Sequence, residues 1–143
     1  MFIGEYSYNI DEKGRLSIPV KFRAKLDGGC VITRGLDNCL WLYSTQEWEK
    51  IAERLSELPL TQKNARSFAR LMLAGAMDLK LDKNGRINLP DYLAKYCGIK
   101  SKVVVTGMYD RLEIWPEEGW QHFKKEMEEN SDEIAEQLSE IGF

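Results

Sequence analysis

Residues 11–19 read DEKGRLSIP and residues 82–90 read DKNGRINLP. Asp, Gly, Arg and Pro recur at matched positions, with an apolar alternation between Arg and Pro in both. Upstream of the first copy, EYSYNI places Tyr6, Tyr8 and Ile10 on one side and Glu5, Ser7 and Asn9 on the other, the period of two of a half-buried strand. LSIP resumes that alternation with Leu16 and Ile18. The pattern is strand, tight turn, strand: a hairpin in which Gly14, or Gly85 in the second copy, takes a positive φ without steric cost. Asp11 and Asp82 accept hydrogen bonds from the turn amides, as short acidic side chains do. Arg15 and Arg86 are held just past the glycine.

The repetition extends well beyond the turns. CVITRGLDNCLWLY (30–43) holds two strands, CVIT and CLWLY, hinged at RGLDN, and KVVVTGMYDRLEIW (102–115) repeats the plan with a hinge at GMYDR. Ser44, three residues before Glu47, is a capping-box start for a helix carrying Trp48, Ile51, Ala52 and Leu55, with Pro59 closing it. A second such helix begins near Pro116. Arg15 aligns with Arg86 at an offset of 71, whereas Gly35 with Gly107 and Trp48 with Trp120 fall at 72. One residue inserted between motif and second hairpin accounts for the slip.

The duplicated modules therefore span 5–48 and 76–120. Between them Ala65, Phe68, Ala69 and Met72 form an apolar stripe, with Gly75 as a stop, predicting a connecting helix over 59–75. Ile134, Leu138 and Ile141 among many glutamates predict an acidic amphipathic helix over 121–143. The class expected is α+β, mainly a β core with helices.

A chain of 143 residues is near the size of one compact domain or of two half-domains sharing a core, and its 43% hydrophobic and 30% charged residues are those of a soluble folded protein. No run approaches the roughly 20 apolar residues of a membrane span, and MFIGEYSYNIDEKG lacks the basic and apolar regions of a secretory signal. The cytosol is the expected compartment, with no membrane partner. The net charge of −3 conceals an asymmetry. From Glu113 onward ten acidic residues face only Lys124 and Lys125, while residues 1–112 carry 18 basic and 13 acidic residues, so the body is free to present a positive face.

Cys30, Cys39 and Cys97 are odd in number and form no C-x-x-C pair, which argues against a disulfide framework or metal site and for small apolar residues in or beside strands. His122, the one histidine, lies in a predicted helix without a nucleophile motif, and no phosphate-binding, zinc-protease or serine-hydrolase signature occurs. No catalytic residue and no cofactor is expected.

Two Asp-x-x-Gly-Arg turns, each followed by apolar-x-apolar-Pro inside matching flanks, resemble the MraZ family, whose modules belong to the wider AbrB-like class of DNA-binding domains. The resemblance covers nearly the whole chain: MFIGEYSYNIDEKGRLSIPVKFR, VITRGLDNCLWLY, LPLTQKNAR, and DKNGR with VTGMYDRLEIW. It implies two interleaved swapped-hairpin modules forming a pseudo-two-fold double-split β-barrel. It also implies a nucleoid-associated bacterial transcriptional regulator of the division and cell-wall gene cluster. Such a regulator is a homo-oligomeric ring that binds tandem repeats of double-stranded DNA upstream of that cluster.

The residues make this chemically sensible. A guanidinium presents a rigid fork of donors that fits phosphate oxygens or the O6 and N7 of guanine, and a two-stranded ribbon is narrow enough for the major groove. Arg15 and Arg86 are the expected contacts, with Lys13, Lys83, Lys21 and Arg23 adding phosphate contacts. Asp11, Gly14, Asp82 and Gly85 shape the loops. The second loop has Asn84 where the first has Lys13, and Lys83 where the first has Glu12, which ranks Arg15 above Arg86.

Against this stands a plainer account in which Asp and Arg four apart are only a local ion pair, worth little when exposed. The competing class is a non-DNA oligomeric scaffold or protein-interaction module. Trp41 and Trp115 are expected to face a shared core. Phe68, Leu71, Met72 and Leu73 exceed what one helix face needs, and the surplus packs against a neighbouring subunit.

Overall fold

The computed structural model describes residues 1–143. Its elements are β1 (Phe2–Asn9), β2 (Arg15–Ser17), α1 (Val20–Leu26), β3 (Cys30–Arg34), β4 (Leu40–Ser44), α2 (Thr45–Ser56) and α3 (Lys63–Ala74). They are followed in the same order by β5 (Met77–Leu79), β6 (Arg86–Asn88), α4 (Asp91–Cys97), β7 (Lys102–Tyr109), β8 (Leu112–Pro116), α5 (Glu117–Glu129) and α6 (Ser131–Ser139). The architecture is α+β with antiparallel pairing throughout. One open sheet runs β1-β7-β8-β4-β3-β5, and a two-stranded ribbon joins β2 to β6.

Where the alternation predicts a local hairpin, the structure makes the turn but not the pairing. β1 pairs with β7 over eight residues, and β2 pairs with β6, so both strands flanking DEKGR take partners from the other copy. Leu16 stands directly opposite its repeat counterpart Ile87, and both are fully buried. The ladder is closed symmetrically: Ile18 N donates to Gly85 O at 3.0 Å and Leu89 N to Gly14 O at 2.8 Å. Period-two alternation fixes which face of a strand is buried, but not which strand lies beside it.

A main core fills the space between sheet and ribbon. It holds Leu16, Ile18 and Ile87 from the ribbon side and Ile32, Leu40, Leu42, Val103, Val105, Leu112 and Ile114 from the sheet. Trp41 and Trp115 alternate with these residues and lie on the opposite, outer face, which corrects the expectation that they share that core. Trp115 is buried there with Cys39 and Val104 and packs against Trp120 and Phe123 of α5, while Trp41 is half-buried. Glu113 is buried on the same face, accepting from Trp115 Nε1 at 3.2 Å and Arg111 Nη2 at 3.0 Å. A buried carboxylate requires such partners.

The helices differ from expectation in two ways. α1 and α4 follow Pro19 and Pro90, in stretches to which the sequence reading assigns no element. Each buries an i, i+4 pair, Phe22 with Leu26 and Leu93 with Cys97. The tail is not one helix over 121–143: it breaks at Asn130 into α5 and α6. α2 starts as its capping pattern predicts, with Ser44 Oγ accepting from Glu47 N at 3.2 Å. No helix is long and apolar enough to cross a membrane.

A candidate nucleic-acid interface

The two Asp-Arg turns are built alike, bond for bond. Asp11 N donates to Arg15 O at 3.1 Å and Gly14 N to Asp11 O at 3.0 Å; Asp82 N donates to Arg86 O at 2.8 Å and Gly85 N to Asp82 O at 3.0 Å. Each aspartate then uses one oxygen for the backbone and the other for the arginine. Asp11 Oδ1 accepts from Lys13 N and Arg15 N, both at 2.9 Å, and Oδ2 accepts from Arg15 Nε at 2.6 Å. Asp82 Oδ1 accepts from Asn84 N at 2.8 Å and Arg86 N at 3.0 Å, and Oδ2 from Arg86 Nε at 3.1 Å. Gly14 and Gly85 make the reversals possible with φ of 77° and 74°, a region other L residues enter at a cost.

These bonds have an electrostatic signature. The Arg15 amide donating to Asp11, reinforced by the Arg15 guanidinium and the Lys13 amide, holds that carboxyl below its ordinary value. The Arg86 amide does the same for Asp82, reinforced by the Asn84 amide and the Arg86 charge. Both aspartates are therefore anions at neutral pH, committed to shaping the loop.

The β2–β6 ribbon sets the turns side by side, although 71 residues separate them in sequence. Arg86 Nη1 reaches to 3.8 Å from Asp11 Oδ2, the oxygen that grips Arg15. Two guanidinium groups thus converge on one carboxylate, each with Nε occupied and the side chains 35% and 26% exposed for Arg15 and Arg86. With Nε committed, the terminal nitrogens are the donors left for an anion or a base edge.

Of the flanking cations, Lys13 and Lys83 are exposed in the turns. Arg23 is brought to the second turn: its Nε donates to Ile18 O at 2.8 Å, and its guanidinium lies against Gly85 so closely that a Cβ there would collide with it. Its repeat counterpart is Ala94, so the first turn has no such cover. Lys21 is turned onto the rings of Tyr6 and Phe22, its Nζ 5.1 and 5.3 Å from their centroids. The cysteines are buried and unpaired, and burial pushes the Cys30 and Cys97 thiols up to about 11. His122 is exposed on α5 beside Glu126.

Sequence reasoning missed Arg111, whose guanidinium lies 4.6 Å from the Trp41 ring centroid and pairs with both Asp110 and Glu113. The alternation of LEIW places Glu113 beside Trp115, which was the available signal.

Fold and turns together define a class: an antiparallel α+β protein whose duplicated Asp-Arg turns are joined across the repeat by a two-stranded ribbon. The family model described as "MraZ protein, putative antitoxin-like" matches this chain twice, over residues 1–71 and 72–140. Relatives from two strains of Lactobacillus delbrueckii subsp. bulgaricus, each named "Transcriptional regulator MraZ", are 48% identical over 141 residues, covering 99% of either chain. The chain belongs to the MraZ family.

Proposed function

We propose that this protein is a non-enzymatic, sequence-specific DNA-binding transcriptional regulator, and that Arg15 and Arg86 are its reading heads. The observation that carries this is the convergence of two Asp-oriented guanidinium groups on one ribbon. Preordered arginines forfeit less side-chain freedom on binding, and a ribbon of this width fits the major groove. The name carried by its relatives supports the reading. Arg15, the more exposed of the two, contributes more than Arg86. Lys13, Lys83 and Arg23 bind phosphates, whereas Lys21 contributes only when it leaves its aromatic neighbours.

The finer reading follows from the family. Sheet and ribbon are the two parts of a pseudo-two-fold split barrel, with modules over 5–48 and 76–120. Copies assemble into a ring, and the ring grips short tandem repeats upstream of the division and cell-wall genes within the nucleoid. One pair of turns binds weakly; many pairs on one ring gain avidity.

The test is competition between duplexes. DNA from upstream of the protein's own gene, carrying its tandem repeats, should displace a scrambled duplex, and a duplex with a single repeat should bind at least tenfold more weakly. Equal binding of all three duplexes would contradict the reading and favour the scaffold.

A further inference from the structure

The β2–β6 ribbon has two faces. Leu16 and Ile87 are buried in the core, so the period of two puts Arg15, Ser17, Arg86 and Asn88 together on the other face. Arg15 stands opposite Asn88, and Ser17 opposite Arg86. Leu89 N donates to Gly14 O and Ile18 N to Gly85 O, which makes Gly14–Leu89 and Ile18–Gly85 hydrogen-bonded pairs of the ladder. Bonded and non-bonded pairs alternate along an antiparallel ladder. Arg15–Asn88 and Ser17–Arg86 are therefore the non-bonded kind, whose Cα atoms approach to about 4.5 Å and whose side chains stand closest.

Ser17 and Asn88 are repeat counterparts at the same offset of 71 that relates the two arginines. The repeat thus sets arginine against arginine but a hydroxyl against a carboxamide. The turn glycines show the same inequality. Beside Gly85 lies the Arg23 guanidinium, whose Nε is committed to Ile18 O; beside Gly14 lies Asn88, its Oδ1 3.5 Å from where a Cβ would stand.

No structural duty accounts for a carboxamide at this position. Asn is disfavoured in strands, and Asn88 is exposed. It caps no helix, since α4 starts after Pro90 with no side-chain cap. It also stands outside the network that ties Asp11, Arg15, Asp82 and Arg86 together.

Its chemistry differs from that of its neighbours. A guanidinium only donates, whereas a carboxamide sets one acceptor beside one donor group. In the major groove guanine shows two acceptors, O6 and N7, and adenine shows the N7 acceptor beside the N6 donor. Arginine therefore matches guanine and asparagine matches adenine. Directly opposed side chains start about 4.5–5.5 Å apart at Cβ, and neighbouring bases along a strand are about 3.4 Å apart, so Arg15 and Asn88 are spaced to meet adjacent base pairs.

We infer that Asn88 reads adenine at the base pair next to the one Arg15 contacts, which makes the first turn the more discriminating of the two. This rests on the proposed reading of DNA by the ribbon and names one of the bases read.

The test uses the full chain and the upstream repeat duplex, with each base pair of the repeat varied in turn in every copy. The wild type should prefer A·T at one position adjoining a preferred G·C. Replacing that adenine by 7-deazaadenine, which lacks the N7 acceptor, should weaken binding at least about fivefold. Asn88→Ala and Asn88→Ser, with unchanged melting temperature, should become indifferent to the base pair and to 7-deazaadenine at that position while keeping the preference for the adjoining G·C. Arg15→Ala should lose the G·C preference and keep the other. Uniform weakening of both Asn88 variants on every duplex, the mark of a phosphate contact, or an unchanged profile would overturn the assignment and leave reading by the arginines standing. So would a wild type whose preferred positions include no A·T. A wild type that fails to distinguish the repeat from a scrambled duplex would overturn both.

Discussion

Arg86 reaches across the ribbon to Asp11, its Nη1 3.8 Å from Oδ2. Asp82 has no reciprocal ion pair with Arg15, so the two aspartates are unequal: Asp11 serves both turns and Asp82 only its own. Asp11→Ala should therefore shift the amide resonances of Lys13, Arg15 and Arg86 together. Asp82→Ala should move those of Asn84 and Arg86 and leave Arg15 in place. Equal and local effects of the two substitutions would show that the turns are independent.

The turn glycines should differ in a related way. Gly14→Ala places a Cβ 3.5 Å from Asn88 Oδ1, an ordinary contact, so only the positive φ penalises it, by about 1–2 kcal/mol. Gly85→Ala adds a collision with the Arg23 guanidinium and should cost more. Pairing it with Arg23→Ala should recover the excess, read as non-additivity in urea unfolding.

Acid should loosen both turns. The pKa values of Asp11 and Asp82 lie below the ordinary 3.8, so the stability that their ionised forms contribute is present above that value and lost as pH falls through the lowered ones. The melting temperature should respond to these groups only below about pH 4. Asp11→Asn with Asp82→Asn should be less stable than wild type at pH 7 and show a shallower loss in that acid window.

Leu16 and Ile87 hold the ribbon to the core, each fully buried and facing the other. Either truncated to Ala should cost about 2–5 kcal/mol. The double substitution should cost less than the sum, with a coupling of about 0.5–3 kcal/mol, because both leave one shared cavity.

Much of this was legible in the sequence because its signals are local. Asp11, Gly14 and Arg15 announce their turn within five residues, and the alternation in CVIT and CLWLY fixes β3 and β4. The partner of β2 was not legible, because the residues facing Leu16 lie 71 positions on and any apolar strand satisfies the same alternation. α1 and α4 were too short for a periodic stripe; Pro19 and Pro90 followed by one i, i+4 apolar pair were the only cues. The cover that Arg23 gives Gly85 was beyond reach for the same reason, since it joins a helix of one copy to the turn of the other.

The central claim is that the paired arginines meet phosphate and base edges, and the most direct measurement is a salt titration of binding to the upstream repeat duplex. For the wild type, log K should fall linearly with log salt at about −0.9 per phosphate neutralised. Lys13→Ala should flatten that slope, whereas Arg15→Ala and, to a lesser degree, Arg86→Ala should lower affinity and narrow the preference over a scrambled duplex, with the fold intact. Wild type and both arginine variants binding alike at every salt concentration would contradict the account, leaving DEKGR and DKNGR as well-bonded turns alone.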